Sequence, residues 1–346
     1  MKYIGNKTRL LDFIEESMTK SEIPLSGTLC DLFGGTGSVG RHFKEKGYKI
    51  ISNDFMTYSY VIQYVSVYLN EMPTFDKLGL GNVENVICYL NNLNPIEGYV
   101  FENYAPSGSC GRQYFSDVNA KRIDAIREQI QRWHDEKQLS TDEYYVLLSS
   151  LINAADFVAN ISGTYGAYLK IWRSMALKPL KLLVPDIISN SIENEIYQKD
   201  ANQLIKQIEC DVLYIDPPYN ERQYAPNFHV LESLAVWDKQ QLTGKTGQRD
   251  YQKKKSKYCR KKDAIFAFAD LIENAKAKYL VVSYNNEGII PREEILNILQ
   301  CKGKVSEYTK DYRRFRTEHD NEHRQYKKCD DKVVEHLYIV SVNQKL

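Results

Sequence analysis

The residue types best suited to chemistry concentrate in one short run, Asp216-Pro-Pro-Tyr219. A carboxylate stands beside a backbone carbonyl that prolines hold rigid, and an aromatic ring follows. This set suits an amino group attached to an aromatic base. Such a nitrogen is a poor nucleophile, because its lone pair is delocalised into the ring. Asp216 and the Pro217 carbonyl can accept its two hydrogens, favour a tetrahedral nitrogen and aim the lone pair at an electrophile. The catalysis is then orientation plus electrostatic stabilisation of developing positive charge. Pro218 stiffens the turn, and Tyr219 offers a face on which a flipped base can stack. Read only as structure, the same four residues are a rigid turn with a capping acid. They follow an apolar stretch, Asp211-Val-Leu-Tyr-Ile215, that reads as a buried strand. This places them at the carboxyl edge of a sheet, where open α/β folds bind ligands.

A second run is Asp31-Leu-Phe-Gly-Gly-Thr-Gly37. Residues 28–33 predict a strand, the glycines a tight turn, and residues 41–46 a helix that Gly47 stops. A second strand over 48–52 leads to Asp54. Glycines at 34, 35 and 37 let backbone approach a bound cofactor, and a helix N-terminus offers unpaired N–H groups. An acid about 20 residues after such a turn accepts hydrogen bonds from ribose hydroxyls. Alone, each feature has a plainer reading: a ligand-free turn, and a helix-capping aspartate.

Further strands are predicted over 278–283 and 333–342, and helices over 263–277 and 291–300. Between the early and late strands the alternation breaks. Residues 55–69 predict a helix, 76–94 are mixed, and 98–114 read as loop. Residues 117–137 and 142–159 predict helices, the second capped by Ser140 or Thr141. Residues 163–169 are turn-rich and aromatic. The expected fold is α/β: a doubly wound, Rossmann-like core formed by 1–72 and 196–346, with a mainly helical insertion over 73–195.

Composition is that of an ordinary globular chain: 346 residues, 43% hydrophobic and 26% charged. No apolar run reaches the ~18 residues of a membrane span, and residues 1–10 carry no apolar leader. Seven scattered cysteines without a C-x-x-C pair predict a reduced, cytoplasmic protein without a zinc framework. The net charge of +1 excludes nothing, but residues 244–262 carry nine Lys and Arg against Asp250. Lys253, Lys254 and Lys255 at its centre suit a phosphate-contacting loop; the alternative is a solvated surface loop. Asn220 and Arg222, just after the catalytic run, are candidates for substrate contact, as are Arg313 and Arg316 in Tyr312-Arg-Arg-Phe-Arg316. So is the aromatic and basic stretch 165–172. His319 and His323 lie four apart, but no third ligand is evident, and no metal is expected.

Taken together, Asp31-Leu-Phe-Gly-Gly-Thr-Gly37 and Asp216-Pro-Pro-Tyr-Asn220 resemble the alpha group of N6-adenine DNA methyltransferases, which includes Dam-like enzymes and FokI-type modification methylases. Lys2-Tyr-Ile-Gly-Asn-Lys7 is similar to the family's N-terminal K-x-x-G-x-K motif. Residues 220–237 and Ser283-Tyr-Asn-Asn-Glu-Gly288 resemble the FokI-type subset, so the likeness covers most of the chain. It implies S-adenosyl-L-methionine as cofactor. Tyr3, Ile4 and Lys7 would line its methionine end, with Lys7 near the carboxylate. Asp31, Phe33, Gly34, Gly35 and Gly37 would wrap it, Asp54 would hold the ribose, and Asp200 and Ala201 would contact its adenine. It further implies a flipped adenine in double-stranded DNA as substrate, and a target-recognition role for the insertion. A cognate restriction endonuclease, a monomeric state and a location in the bacterial cytoplasm or nucleoid are expected on the same ground. The recognition sequence is not implied. RNA adenine and protein amide methyltransferases remain alternatives, although those relatives more often carry Asn at the position of Asp216. An inactive DNA-binding subunit is disfavoured by the intact motifs, and a nicotinamide-dependent dehydrogenase would leave Asp216-Pro-Pro-Tyr219 without a role.

Overall fold

The computed structural model describes residues 7–313 and 332–343, with the backbone alone for Tyr312, Arg313 and Lys332. Along the chain run α1 (Leu11–Lys20), β1 (Thr28–Asp31), α2 (Ser38–Glu45), β2 (Lys49–Asn53), α3 (Thr57–Gln63), α4 (Val83–Asn91), α5 (Tyr99–Tyr104), α6 (Asp117–Asp135) and α7 (Thr141–Phe157). Then come β3 (Glu195–Tyr197), α8 (Ala201–Leu204), β4 (Cys210–Ile215), α9 (Tyr224–Asn227) and α10 (His229–Val236). The order closes with α11 (Ala264–Asn274), β5 (Ala277–Asn285), α12 (Arg292–Gln300), β6 (Gly303–Arg313) and β7 (Lys332–Val342). The chain divides into two compact units. One comprises the described parts of Ile4–Phe55, Asn190–Gln223 and Lys254–Leu346; the other comprises Met56–Ser189 and Tyr224–Lys253.

The first unit holds every strand found among the described residues. Its seven-stranded sheet has the order β3-β2-β1-β4-β5-β7-β6. Strands β1 to β5 pair in parallel, and β7 inserts antiparallel between β5 and β6. Parallel strands are covered on both faces and need near-continuous apolar runs. Accordingly Val212 to Ile215 are all buried. Leu213, Ile215, Leu280 and Val282 pack with Phe268 and Leu271 of α11 in one cluster. The expected doubly wound α/β core is therefore the fold observed. Gly47 ends α2 with φ +89°. Its N–H donates to the Lys44 carbonyl, and that of Tyr48 to the Phe43 carbonyl. This is a left-handed cap that glycine adopts without strain.

The second unit is helical. Ser140 and Glu143 form a reciprocal capping box on α7. The start of α5 is capped from a distance: Asp124 of α6 accepts the N–H groups of Gly98, Val100 and Phe101. Glu232 of α10 likewise accepts those of Thr57 and Tyr58 at the start of α3. Buried Arg127 spends its guanidinium on the Leu234 carbonyl, Gln131 and the Tyr144 hydroxyl. No helix among the described residues is long and apolar enough to cross a membrane.

Several elements depart from the sequence reading, which assigned no structure to α1, β3 or α8 to α10. The stretch 98–114 contains α5, so it is not all loop. The helix expected over 55–69 changes to π geometry over Tyr64–Tyr68. Strand β6 was not anticipated; it pairs with β7 along its whole length.

Candidate active site

The carboxyl ends of the parallel strands bring the predicted residues together within the α/β unit. Asp31 ends β1 and Asp216 follows β4, its hydrogen-bonded neighbour. Those two strands lie where the strand order reverses, the usual ligand position of an open α/β sheet. The glycine turn leaves β1 with φ +53° at Gly35 and +74° at Gly37, values that favour glycine. Buried Asn53 pins the turn. Its carbonyl accepts the Gly34 N–H, and its amide group donates to the carbonyls of Leu32 and Lys199. Asp54 is half-buried and accepts the Gly35 N–H at 2.9 Å. Asp31 accepts the Gly40 N–H inside the first turn of α2. Phe33 meets Tyr258 edge-on at 5.2 Å, in the same apolar cluster as Ala201. Asp200 caps α8 through the Gln203 N–H.

Around Asp216 the structure builds a charged cluster. The Lys7 ammonium lies 3.2 Å from Asp216 Oδ1 and 2.6 Å from Glu335 Oε1. The Ser283 hydroxyl donates to the same Glu335 oxygen at 2.6 Å. Burial alone would lower Lys7, but the two carboxylates outweigh it and raise it well above its ordinary value. Burial raises Asp216 to about 7, against the pull of Lys7. Burial also raises Asp31 to about 7, against its hydrogen bond from Gly40 and with the charges of Asp216 and Asp54 adding to the rise. The site therefore holds carboxyl groups that change charge near neutrality.

The loop after β5 clamps the run Asp216-Pro-Pro-Tyr219. The Ile289 N–H donates to the Tyr219 carbonyl at 2.8 Å, and the Asn285 side chain faces the Tyr219 hydroxyl. Tyr219 and Tyr284 meet at 6.5 Å and 78°. Asn220 accepts the Arg222 N–H, and the Cys259 thiol donates to the Arg222 carbonyl.

The structure divides the basic stretch. Arg249 is buried and forked onto Asp238. Lys254 donates to the Phe55 carbonyl and covers its ring. Arg260 pairs with Asp263. Lys253, Lys255, Lys261 and Lys262 are exposed. Tyr3, Ile4, Arg316, His319 and His323 lie outside the described residues, as does the Arg313 side chain.

Sequence reasoning passed over Glu335, Asn53 and Tyr258. For Glu335 a signal existed: it is an acid in the register of Val333 and Leu337, both buried, in an otherwise apolar strand.

The fold and the site define a class, the Rossmann-like methyltransferases. Within it, a model of the D12 class N6 adenine-specific DNA methyltransferases matches residues 3–298, and the chain belongs to that family. It is 42% identical over 328 residues to the type II methyltransferase M.FokI of Planomicrobium okeanokoites, covering 93% of this chain and 50% of that protein. It is 40% identical over 342 residues to the type II methyltransferase M.NlaIII of Neisseria lactamica, covering 98% and 99%. With the modification methylase StsI of Streptococcus sanguinis it shares 41% over 303 residues, covering 87% and 46%. The chain thus spans about half of M.FokI and StsI, and nearly all of M.NlaIII.

Proposed function

We propose that the chain methylates the N6 amino group of an adenine flipped out of double-stranded DNA, using S-adenosyl-L-methionine, as the modification enzyme of a type II restriction–modification system. The observation that carries this reading is Asp216-Pro-Pro-Tyr219 at the carboxyl end of β4, beside the glycine turn of β1. The residues present suit the cofactor: a half-buried carboxylate for a ribose diol at Asp54, a glycine turn, and an apolar wall of Phe33, Ala201 and Tyr258. When bound, its sulfonium supplies an electrophilic methyl group.

The chain's own residues do the rest. Asp216 and the Pro217 carbonyl accept the two hydrogens of the amino group and hold its lone pair in line. Their negative potential favours the positive charge that develops on nitrogen. Tyr219 stacks on the extruded base, whose extrusion costs a few kcal/mol. The excess proton leaves to water. We assign target recognition to the helical insertion over 73–195. A cognate endonuclease is inferred from the modification methylases among the relatives.

The test is transfer of labelled methyl to unmethylated genomic DNA, with nucleoside analysis and mapping of the product. Label at adenine N6 in one short motif is expected. Asp216→Ala should lower kcat roughly 10²–10³-fold or more while leaving cofactor affinity largely intact. Wild-type turnover by that variant, or label in RNA or protein instead of DNA, would defeat the assignment.

A further inference from the structure

We propose that Glu335 is a positioning residue for methyl transfer: through the Lys7 ammonium it holds the Asp216 carboxylate in place and sets the pH range in which that carboxylate serves as acceptor. The inference rests on the reading of Asp216 as the group that receives the adenine amino hydrogens.

The geometry is specific. Strand β7 runs antiparallel to β5, so its early residues reach the carboxyl edge, and Glu335 lies opposite Asn285. Glu335 is 5% exposed. A buried carboxylate is costly unless paired and hydrogen-bonded, and Lys7 Nζ and Ser283 Oγ both donate to one oxygen of Glu335. Lys7 lies closer to Glu335, at 2.6 Å, than to Asp216, at 3.2 Å. Lysine is a compact charge on a flexible stem, and without Glu335 its ammonium would move fully onto Asp216. There it would occupy the carboxylate oxygens that the substrate amino group needs. Glu335 therefore keeps Asp216 neighboured by a cation yet open as an acceptor.

The same arrangement fixes the sign of a pH effect. Lys7 faces Asp216 from the N-terminal segment, Tyr214 from β4, Asp31 from β1 and Glu335 from β7, and Tyr219 follows it in the loop. Loss of the Glu335 charge removes one like charge from Asp216 and releases the ammonium toward it. Both changes favour ionised Asp216.

The experiment is the dependence of kcat on pH, at saturating DNA and S-adenosyl-L-methionine, for the full chain and its variants. In Glu335→Gln the acid limb should move down by about one pH unit. The plateau kcat should fall roughly tenfold, with each KM changed less than about threefold. Charge-keeping Glu335→Asp should leave the limb at the wild-type pH. A purely structural Glu335 would lower stability or activity without moving the limb, and an E335Q limb at or above the wild-type pH overturns the proposal. Lys7→Gln supplies a second background, needed where E335Q alone fails to fold, because removing both buried charges is tolerated better than stranding one. There K7Q/E335Q should show a lower limb than K7Q; coincident limbs also overturn the proposal. Absence of methyl transfer by the wild-type chain at every pH would instead overturn the reading of Asp216, and the inference with it.

Discussion

Asp31 and Asp216 are carboxyl groups that burial raises to about 7. A carboxyl whose folded value lies above its unfolded value stabilises the fold fully at low pH, below the unfolded value. That stability is lost as pH rises through the folded value, here about 7. The melting midpoint of the wild-type chain should therefore fall between pH 6 and 8.5. Asp31→Asn keeps an oxygen for the Gly40 N–H but cannot ionise, so its fall should be smaller. A difference on the order of 1 kcal/mol, about 2 °C, is expected in thermal melts at the two pH values. An equal fall in both proteins would show that Asp31 is not a source of the pH dependence. Asp216 and the glycines at 34, 35 and 37 stand out in the sequence because each lies in a contiguous run just after an apolar strand. The Lys7–Glu335 pair does not, because its partners sit on elements that meet only through the antiparallel insertion of β7.

At the scale of elements, the loop from β5 to α12 acts as a clamp on the run Asp216-Pro-Pro-Tyr219. Gly288 lies against the Tyr284 ring, and an added Cβ would stand 2.0 Å from Tyr284 Cε1. Tyr284 in turn meets Tyr219 and accepts the Ile290 N–H. Gly288→Ala must push the ring aside, and kcat should drop about tenfold, the cost of a small misplacement near the reacting groups. Steady-state kinetics with far-UV spectra would check this; full activity would mean the clamp does not position Tyr219. Local sequence pattern explains which elements were legible. Helices α6 and α7 carry helical spacing, and serines 116 and 140 cap their starts. Helix α5 was hidden because its cap, Asp124, comes from another helix. Strand β6 was hidden because it is an edge strand with exposed charged residues on both faces, as at Lys304, Lys310 and Asp311.

Across the whole molecule, net charge is near zero, and the basic stretch matters only through the groups it presents. Arg249 is committed to Asp238 and Lys254 to the Phe55 carbonyl, whereas Lys261 and Lys262 are exposed. Lys261→Gln with Lys262→Gln should weaken DNA binding without altering the target motif. It should lower the slope of log affinity against log salt by roughly two, about one per lost phosphate contact. Binding titrations at several salt concentrations measure that slope, and an unchanged slope would place these lysines away from DNA. The architecture also imposes a schedule on biosynthesis. The ammonium of Lys7 and its Glu335 carboxylate stand 328 positions apart. At ~5–20 residues per second, a ribosome needs on the order of half a minute to deliver the second after the first. Throughout that interval the nascent chain carries a lysine whose buried destination does not yet exist. The buried pair therefore closes only when β7 emerges, and a chain stalled before it keeps the Lys7 ammonium without its Glu335 partner.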